Sequence, residues 1–216
     1  MSITLILVVM TGIISYQAFN NPSMKQQLLF YPVAVKEQGQ LFRFLSHGFV
    51  HSNWTHLLVN MYVLYIFGEY CEFRFSLLFG EVGGRIAYLL FYLTAIIAAS
   101  IPSYLRHQGN RYYRALGASG ATSAIVFTYV LFNPWNWFLF PPLPAIIFGI
   151  AYLWYSNYMD KKGGDNIGHN AHFWGAVYGL VFIVVSIFAI NPAAFQEIVA
   201  NLMSGPTPPP FFSSQY

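Results

Sequence analysis

The sequence predicts an all-α polytopic membrane protein, a bundle of six transmembrane helices with a long membrane-interface loop between the first and the second. Three observations predict it. Hydrophobic residues fill 56% of the 216 positions and charged residues only 8%, where an ordinary soluble domain carries about 25% charged residues. The mean hydropathy is +0.50. Successive apolar stretches of about 17 to 22 residues, each long enough to cross a bilayer, take up most of the chain as far as Ile190.

The first stretch runs from Ile3 to Phe19. It lacks the basic flank and small-residue cleavage site of a signal peptide, so it reads as a retained span. The segment from Asn20 to Asn53 carries charges and many aromatics. It is too long for a simple inter-helix turn and is expected to fold partly into the membrane interface. Further spans are expected at Trp54–Phe73, Ile86–Tyr104 and Ala118–Phe132. Asn133-Pro134-Trp135-Asn136-Trp137 then makes an aromatic turn suited to headgroup depth. A fifth span begins after Pro141-Pro142-Leu143-Pro144, since proline suits a first helical turn, and ends near Tyr158. Lys161-Lys162-Gly163-Gly164-Asp165 reads as a mobile connection to a sixth span, Ala171–Ile190. Residues 1–190 thus form one membrane domain. Residues 191–216 are expected to be a disordered proline-rich tail, with Gly205-Pro206-Thr207-Pro208-Pro209-Pro210 its most biased run. The net charge of +3 is small and scattered and gives no sign of nucleic-acid binding. Cys71 is the single cysteine, which excludes an intrachain disulfide and a cysteine-based zinc cluster.

Polar side chains are expensive in hydrocarbon, so those in or near the spans are candidates for function. His56 and Asn60 stand at i, i+4 on one face of the second span, about 6 Å apart along its axis. Ser119 opens the fourth span and His172 the sixth. Spans two, four and six run in the same direction, so these four residues share a side of the membrane and an approximate depth. Each alone has a plainer reading: Gly117-Ala118-Ser119-Gly120-Ala121 as a small-residue packing seam, His172 as a packed histidine, His56 with Asn60 as interhelical glue. Packing does not call for all four at one level. Together they permit nucleophilic acyl transfer: a serine hydroxyl activated by a histidine base, with the oxyanion held by His56, Asn60 and the first backbone N–H groups of the fourth helix. Asp160 and Asp165 lie outside the sixth span, so the set is a dyad without an embedded carboxylate. Gly175 and Gly179, at GxxxG spacing after His172, allow the fourth and sixth helices to approach closely.

These residues carry a resemblance to the rhomboid family of intramembrane serine proteases. The family's G-x-S-G signature appears as Gly117-Ala118-Ser119-Gly120, and its A-H-x-x-G-x-x-x-G pattern as Ala171-His172, Gly175 and Gly179. The H-x4-H-x3-N pattern of the second span is met by His51, His56 and Asn60, and a G-x3-E pattern by Gly68 and Glu72. Arg43 resembles the Arg of an aromatic-Arg pair, with Phe42 in place of tryptophan. The resemblance implies that a transmembrane protein substrate enters laterally from the lipid bilayer and is cut by Ser119, with His172 as base and then acid. The oxyanion would be held by His56, Asn60 and the Ser119 N–H. His51, Gly117, Gly120, Gly175, Gly179, Glu72 and Arg43 would serve as structural support. The fifth helix and the loop of residues 161–170 would gate access. No cofactor and no metal are implied, and no oligomeric state is indicated. Where some family members stack an aromatic residue on the histidine one turn after the serine, this chain has Ser123. Support for the imidazole could then come from Phe127, Trp174 or elsewhere, and His169 is a second possible base.

Charge and resemblance disagree about orientation. Lys25, Lys36, Arg43, Arg106, Arg111, Arg114, Lys161 and Lys162 fall on the side of the four polar residues, and only Arg74 and Arg85 on the other. The positive-inside tendency would put that first side in the cytoplasm. The resemblance implies an extracytoplasmic site in a multi-pass protein of a bacterial inner (cytoplasmic) membrane. The resemblance outweighs the charge count, because the long first loop dilutes the charge rule. Three other classes remain: a catalytically inactive rhomboid-like protein that binds transmembrane helices, a metal site built from His51, His56, His169 and His172, and a small transporter.

Overall fold

The computed structural model describes residues 1–139, 141–163 and 167–206. Six long helices stand where the six spans are expected: α1 (Ile3–Asn20), α5 (Trp54–Phe79), α6 (Glu81–His107), α7 (Ser119–Phe132), α8 (Ala145–Lys162) and α9 (His169–Ile190). Three short helices, α2 (Pro22–Leu28), α3 (Pro32–Gln38) and α4 (Arg43–Ser46), and a 3-10 turn at His47–Phe49 fill the long first connection. By length and apolarity alone, α1, α6 and α9 could each cross a membrane. The fourteen residues of α7 are apolar but short.

Local chemistry explains where the helices begin. Ser2 caps α1 by accepting from Leu5 N–H at 3.2 Å, Asn21 caps α2 through Met24 N–H at 3.0 Å, and Asn53 caps α5 through His56 N–H at 2.9 Å. Pro22 and Pro32 each occupy the first turn of a short helix, where a missing N–H costs nothing. Pro144 precedes the first residue of α8. The helices outrun the expected spans where polar residues find partners. At its far end α5 continues to Phe79, six residues beyond the expected stop, and α6 starts at Glu81 rather than Ile86. A single residue joins them, Gly80, whose φ of +76° only glycine adopts readily.

The core is a slab of side chains from α1, α5, α6, α7 and α9, including Leu7, Leu64, Phe75, Tyr88, Phe91, Ile125 and Ile183, all at or near zero exposure. The outer faces carry exposed Ile, Leu, Val, Phe and Trp, as a lipid-facing surface must. One correction concerns the tail. The segment expected to be disordered from residue 191 instead folds as α10 (Ala194–Met203). It buries Ile198 and accepts the Trp135 indole N–H at the Leu202 carbonyl, 2.9 Å away. The Asn201 amide donates to the Phe132 carbonyl at 2.8 Å, and Arg74 forks onto Glu197 at 2.9 and 2.6 Å. The expectations for Gly164 and Asp165 in the connection and for Thr207, Pro208, Pro209 and Pro210 in the tail lie outside the described residues.

Candidate active site

The starts of α5, α7 and α9 come together at one end of the bundle. The closest approach is between α7 and α9. A Cβ on Gly175 would lie 2.0 Å from the Gly120 carbonyl oxygen, and one on Gly179 would lie 2.3 Å from that of Ala124. No side chain fits in either place, so glycine at these two positions lets the two backbones touch. A Cβ on Gly120 would in turn stand 3.5 Å from the carbonyl oxygen of Ala171, the residue before His172. Ser119, first residue of α7, and His172, in the first turn of α9, therefore flank a direct backbone contact, and both are partly exposed.

The turn leading into Ser119 is built from histidines of the first connection. Gly117 has φ +115°, and a Cβ there would lie 2.5 Å from Cε1 of the His56 ring, so both conformation and space demand glycine. The Gly117 N–H donates to the His47 carbonyl at 2.9 Å, and the Ala118 N–H to Nε2 of His51 at 3.3 Å. His51 is fully buried, and its tautomer follows from its partners. Ser15 Oγ donates its proton to the Phe49 carbonyl at 2.9 Å, so the 2.9 Å contact with Nδ1 must be donated by His51. Nε2 is then the bare acceptor for Ala118. Burial, with His56 and Lys25 nearby, pushes the His51 pKa down to about 3, which keeps the ring neutral. His47 is likewise buried, with Nδ1 donating to the Arg43 carbonyl at 2.9 Å. Desolvation lowers its pKa to about 4 against the opposing pull of backbone carbonyls.

His56 stands edge-on to His51, ring centroids 4.9 Å apart, with Nδ1 3.1 Å from Ser52 Oγ. Its Nε2 edge faces Gly117, two residues before the serine. Asn60, one turn along α5, is buried. Its amide N–H donates to the His56 carbonyl at 2.8 Å, and its Oδ1 accepts from Thr122 Oγ1 at 3.2 Å. Thr122 Oγ1 is also 3.2 Å from the Ser119 carbonyl, so Asn60 is tied to the first turn of α7. A cavity of about 30 Å³, room enough to hold a water, adjoins Ser119 between His47, Gly117, Gly168 and Ala171.

The sequence profile of the rhomboid domain matches residues 38–188, more than half of the chain. The chain belongs to the rhomboid family. Among its curated relatives are a mitochondrial RHOMBOID-like protein 12 of Arabidopsis thaliana, 27% identical over 78% of this chain and 53% of its own length, and the Rhomboid protease GlpG of Haemophilus influenzae, 26% identical over 72% of this chain and 74% of its own length. A chloroplastic Rhomboid-like protein 11 of Arabidopsis is 29% identical over 66% of this chain and 51% of its own length. The chain thus spans about half the length of the two plant relatives. It is an integral membrane protein with a rhomboid-like helical bundle.

Within this rhomboid fold, two positions expected to give structural support lie away from the serine. Glu72, sixteen residues along α5 from His56 and so about 24 Å away, accepts from Ile3 N–H and Thr4 N–H, each at 2.9 Å, and from Thr4 Oγ1 at 3.0 Å. It binds the N-terminus of α1, where helix-dipole and unpaired N–H groups favour a carboxylate. Gly68 makes room beside it for Thr4 and the Tyr88 hydroxyl. Arg43 is buried in the first connection. It donates to the Leu29 carbonyl at 2.6 Å, the Gln26 carbonyl at 3.0 Å and Gln40 Oε1 at 2.6 Å, while the exposed Phe42 ring lies 5.4 Å from its guanidinium. Its carbonyl holds His47, whose own carbonyl accepts from Gly117 in the serine turn.

The aromatic group against His172 is one that the sequence alone does not single out. Phe127 packs on Tyr152, and Trp174 stands 41% exposed against Phe173. Tyr152 of α8 lies against the imidazole, centroids 6.0 Å apart and planes 20° from parallel. His169 is buried at the first position of α9, edge-on to both Tyr155 and His172. The four-histidine metal reading loses its first ligand, because both ring nitrogens of His51 are committed to Ser15 and Ala118. Thr122, His47 and Ser15 also join the site without having been expected there. Ser15 has a signal: Thr4, Leu7, Thr11, Ser15 and Ala18 repeat at helical spacing, and all five are buried.

Proposed function

We propose that this rhomboid-family protein is an intramembrane serine endopeptidase that cleaves transmembrane segments of membrane proteins. The observation that carries the reading is the backbone contact of Gly120 with Gly175, which brings the start of α7, bearing Ser119, against the start of α9, bearing His172. Ser119 Oγ attacks the scissile carbonyl as His172 takes its proton. His172 then gives that proton to the departing amine, leaving an acyl ester on Ser119. Water, deprotonated by His172, attacks the ester and releases the new carboxylate, and the proton returns to Ser119. The oxyanion formed in each half is held by the Ser119 N–H, by His56 and by the second amide hydrogen of Asn60. A water-sized cavity beside Ser119 suits the hydrolytic half.

The site is assigned to the extracytoplasmic side of a bacterial inner membrane. Several of the cations that argue otherwise have internal partners: Arg106 on Asp160 at 2.8 Å, Arg111 near Glu37 at 3.6 Å, Lys25 on the Ser52 carbonyl at 2.9 Å, and Arg43 buried. Protease accessibility of a tag placed after Ser204 tests the assignment.

The activity is tested with purified protein in detergent, a transmembrane substrate, and Ser119→Ala as control, each with and without chelator. Cleavage by the unaltered protein alone, indifferent to chelator, is the expected result. Cleavage surviving in Ser119→Ala would remove the serine mechanism. Substrate binding without cleavage would favour an inactive rhomboid-like helix-binding protein.

A further inference from the structure

The 18-residue helix α8 buries only Ala145, Gly149 and Ser156, whereas α7 buries ten of its fourteen residues. Those three positions and Tyr152 fall at spacings of 4, 3 and 4, a single stripe facing the bundle. Three of the four are small. Tyr152 is the one large side chain α8 sends inward along that stripe, and it arrives at His172.

Its placement is fixed from three sides. The Tyr152 hydroxyl is 2.8 Å from Ser123 Oγ, and Ser123 is buried one turn after Ser119 on α7. Phe148, one turn back on α8, stacks beside it at 5.9 Å and 28°, and Phe127 of α7 closes the other flank at 5.9 Å. The remaining face lies along the His172 imidazole at 6.0 Å and 20°, within the range of offset stacking.

We propose that Tyr152 is the positioning residue for His172. Its ring holds the imidazole in plane and shields it from water, and Ser123 anchors the hydroxyl so that the ring cannot swing away. Because Tyr152 belongs to α8 while the serine and histidine belong to α7 and α9, the base is held in place only while α8 is seated. This rests on the reading of Ser119 and His172 as the reacting pair.

The test compares kcat and KM for the unaltered protein, Tyr152→Phe and Tyr152→Leu, with melting temperature as the check on folding. Tyr152→Leu should lower kcat about 10- to 100-fold, the usual cost of a misplaced base, with KM within about threefold. Tyr152→Phe keeps the ring and should lose only about 2- to 5-fold, the hydroxyl anchor being worth about one neutral hydrogen bond. If Tyr152→Leu does not fold, Tyr152→Met takes its place. An unchanged kcat, a loss confined to KM, or a loss in Tyr152→Phe as large as that in Tyr152→Leu would each overturn the proposal. Failure of the underlying reading looks different: the unaltered protein would be inactive, or Ser119→Ala active, whatever stands at residue 152.

Discussion

The contact of α7 with α9 and the contact of α8 with the same pair are made of different material. Between α7 and α9, backbone meets backbone, and a single methyl group at Gly175 or Gly179 would overlap a carbonyl oxygen. Between α8 and its neighbours, side chains meet at ordinary distance, and a Cβ on Gly149 would find Phe127 Cε1 at 3.4 Å and Val130 Cγ1 at 3.5 Å. The first kind of contact has one solution, while the second can shift by rotating a ring. The proposed protease would need both: a fixed seam to hold Ser119 beside His172, and a neighbour able to yield to a substrate helix.

The most damaging way to break that comparison is Gly175→Val. A Cβ 2.0 Å from a backbone oxygen cannot be relieved by a rotamer change. Overpacking commonly costs about 1 to 3 kcal/mol, and backbone overlap belongs at or above the top of that range. Loss of the folded state, or a fall in melting temperature of well over about 5 °C, is expected in detergent. A variant melting like the unaltered protein would mean that the seam is looser than its geometry.

A middle-sized effect is expected from acid. His47 and His51, which hold the turn before Ser119, have pKa values depressed to about 4 and about 3 from an ordinary 6.5. The unfolded chain therefore binds more protons than the folded one between those limits. Stability is present in full above about pH 6.5 and falls as pH drops toward 4 and then 3. Each tenfold change in proton affinity between the two states is worth about 1.4 kcal/mol, so the two histidines together can remove on the order of a few kcal/mol. His51→Gln should lower the melting temperature at neutral pH but flatten its decline between pH 7 and 4. An unchanged slope would show that the acid sensitivity lies elsewhere.

What can be read from the sequence follows the same division. Ser119, His172, Gly175 and Gly179 are legible because helix periodicity and apolar context fix where each stands, and a backbone seam needs only spacing. Tyr152 is not legible. Its partners, Ser123 and His172, stand on other helices far along the chain, and nothing in the order of residues says which ring of an aromatic-rich helix turns inward. Glu72 is visible as an unusual acid in a span. Its use, holding the N–H groups of Ile3 and Thr4, requires knowing that α1 begins where α5 ends. Helix α10 is hidden because a proline-rich run follows it. The apolar residues of Ala194–Met203 group by composition with the tail rather than with the bundle they cover.

The smallest expected effect sharpens the comparison from the other side. Gly149→Ala places its methyl group against the edge of Phe127 at 3.4 Å and against Val130 at 3.5 Å, both side chains with freedom to move by a few tenths of an ångström. Alanine is also favoured over glycine within a helix by about 1 kcal/mol, and α8 is helical on both sides of this position. The two terms roughly offset, so melting should change by no more than about 3 °C, in contrast to the collapse expected at Gly175. The sensitive reading is activity. Gly149 is three residues before Tyr152 on the same stripe, and pushing α8 outward there would draw the ring away from His172. A protein that melts normally but loses severalfold in kcat would show that α8 acts on the base through its seating. Unaltered kcat would mean that the slack at the α8 contact absorbs the methyl group before the ring moves.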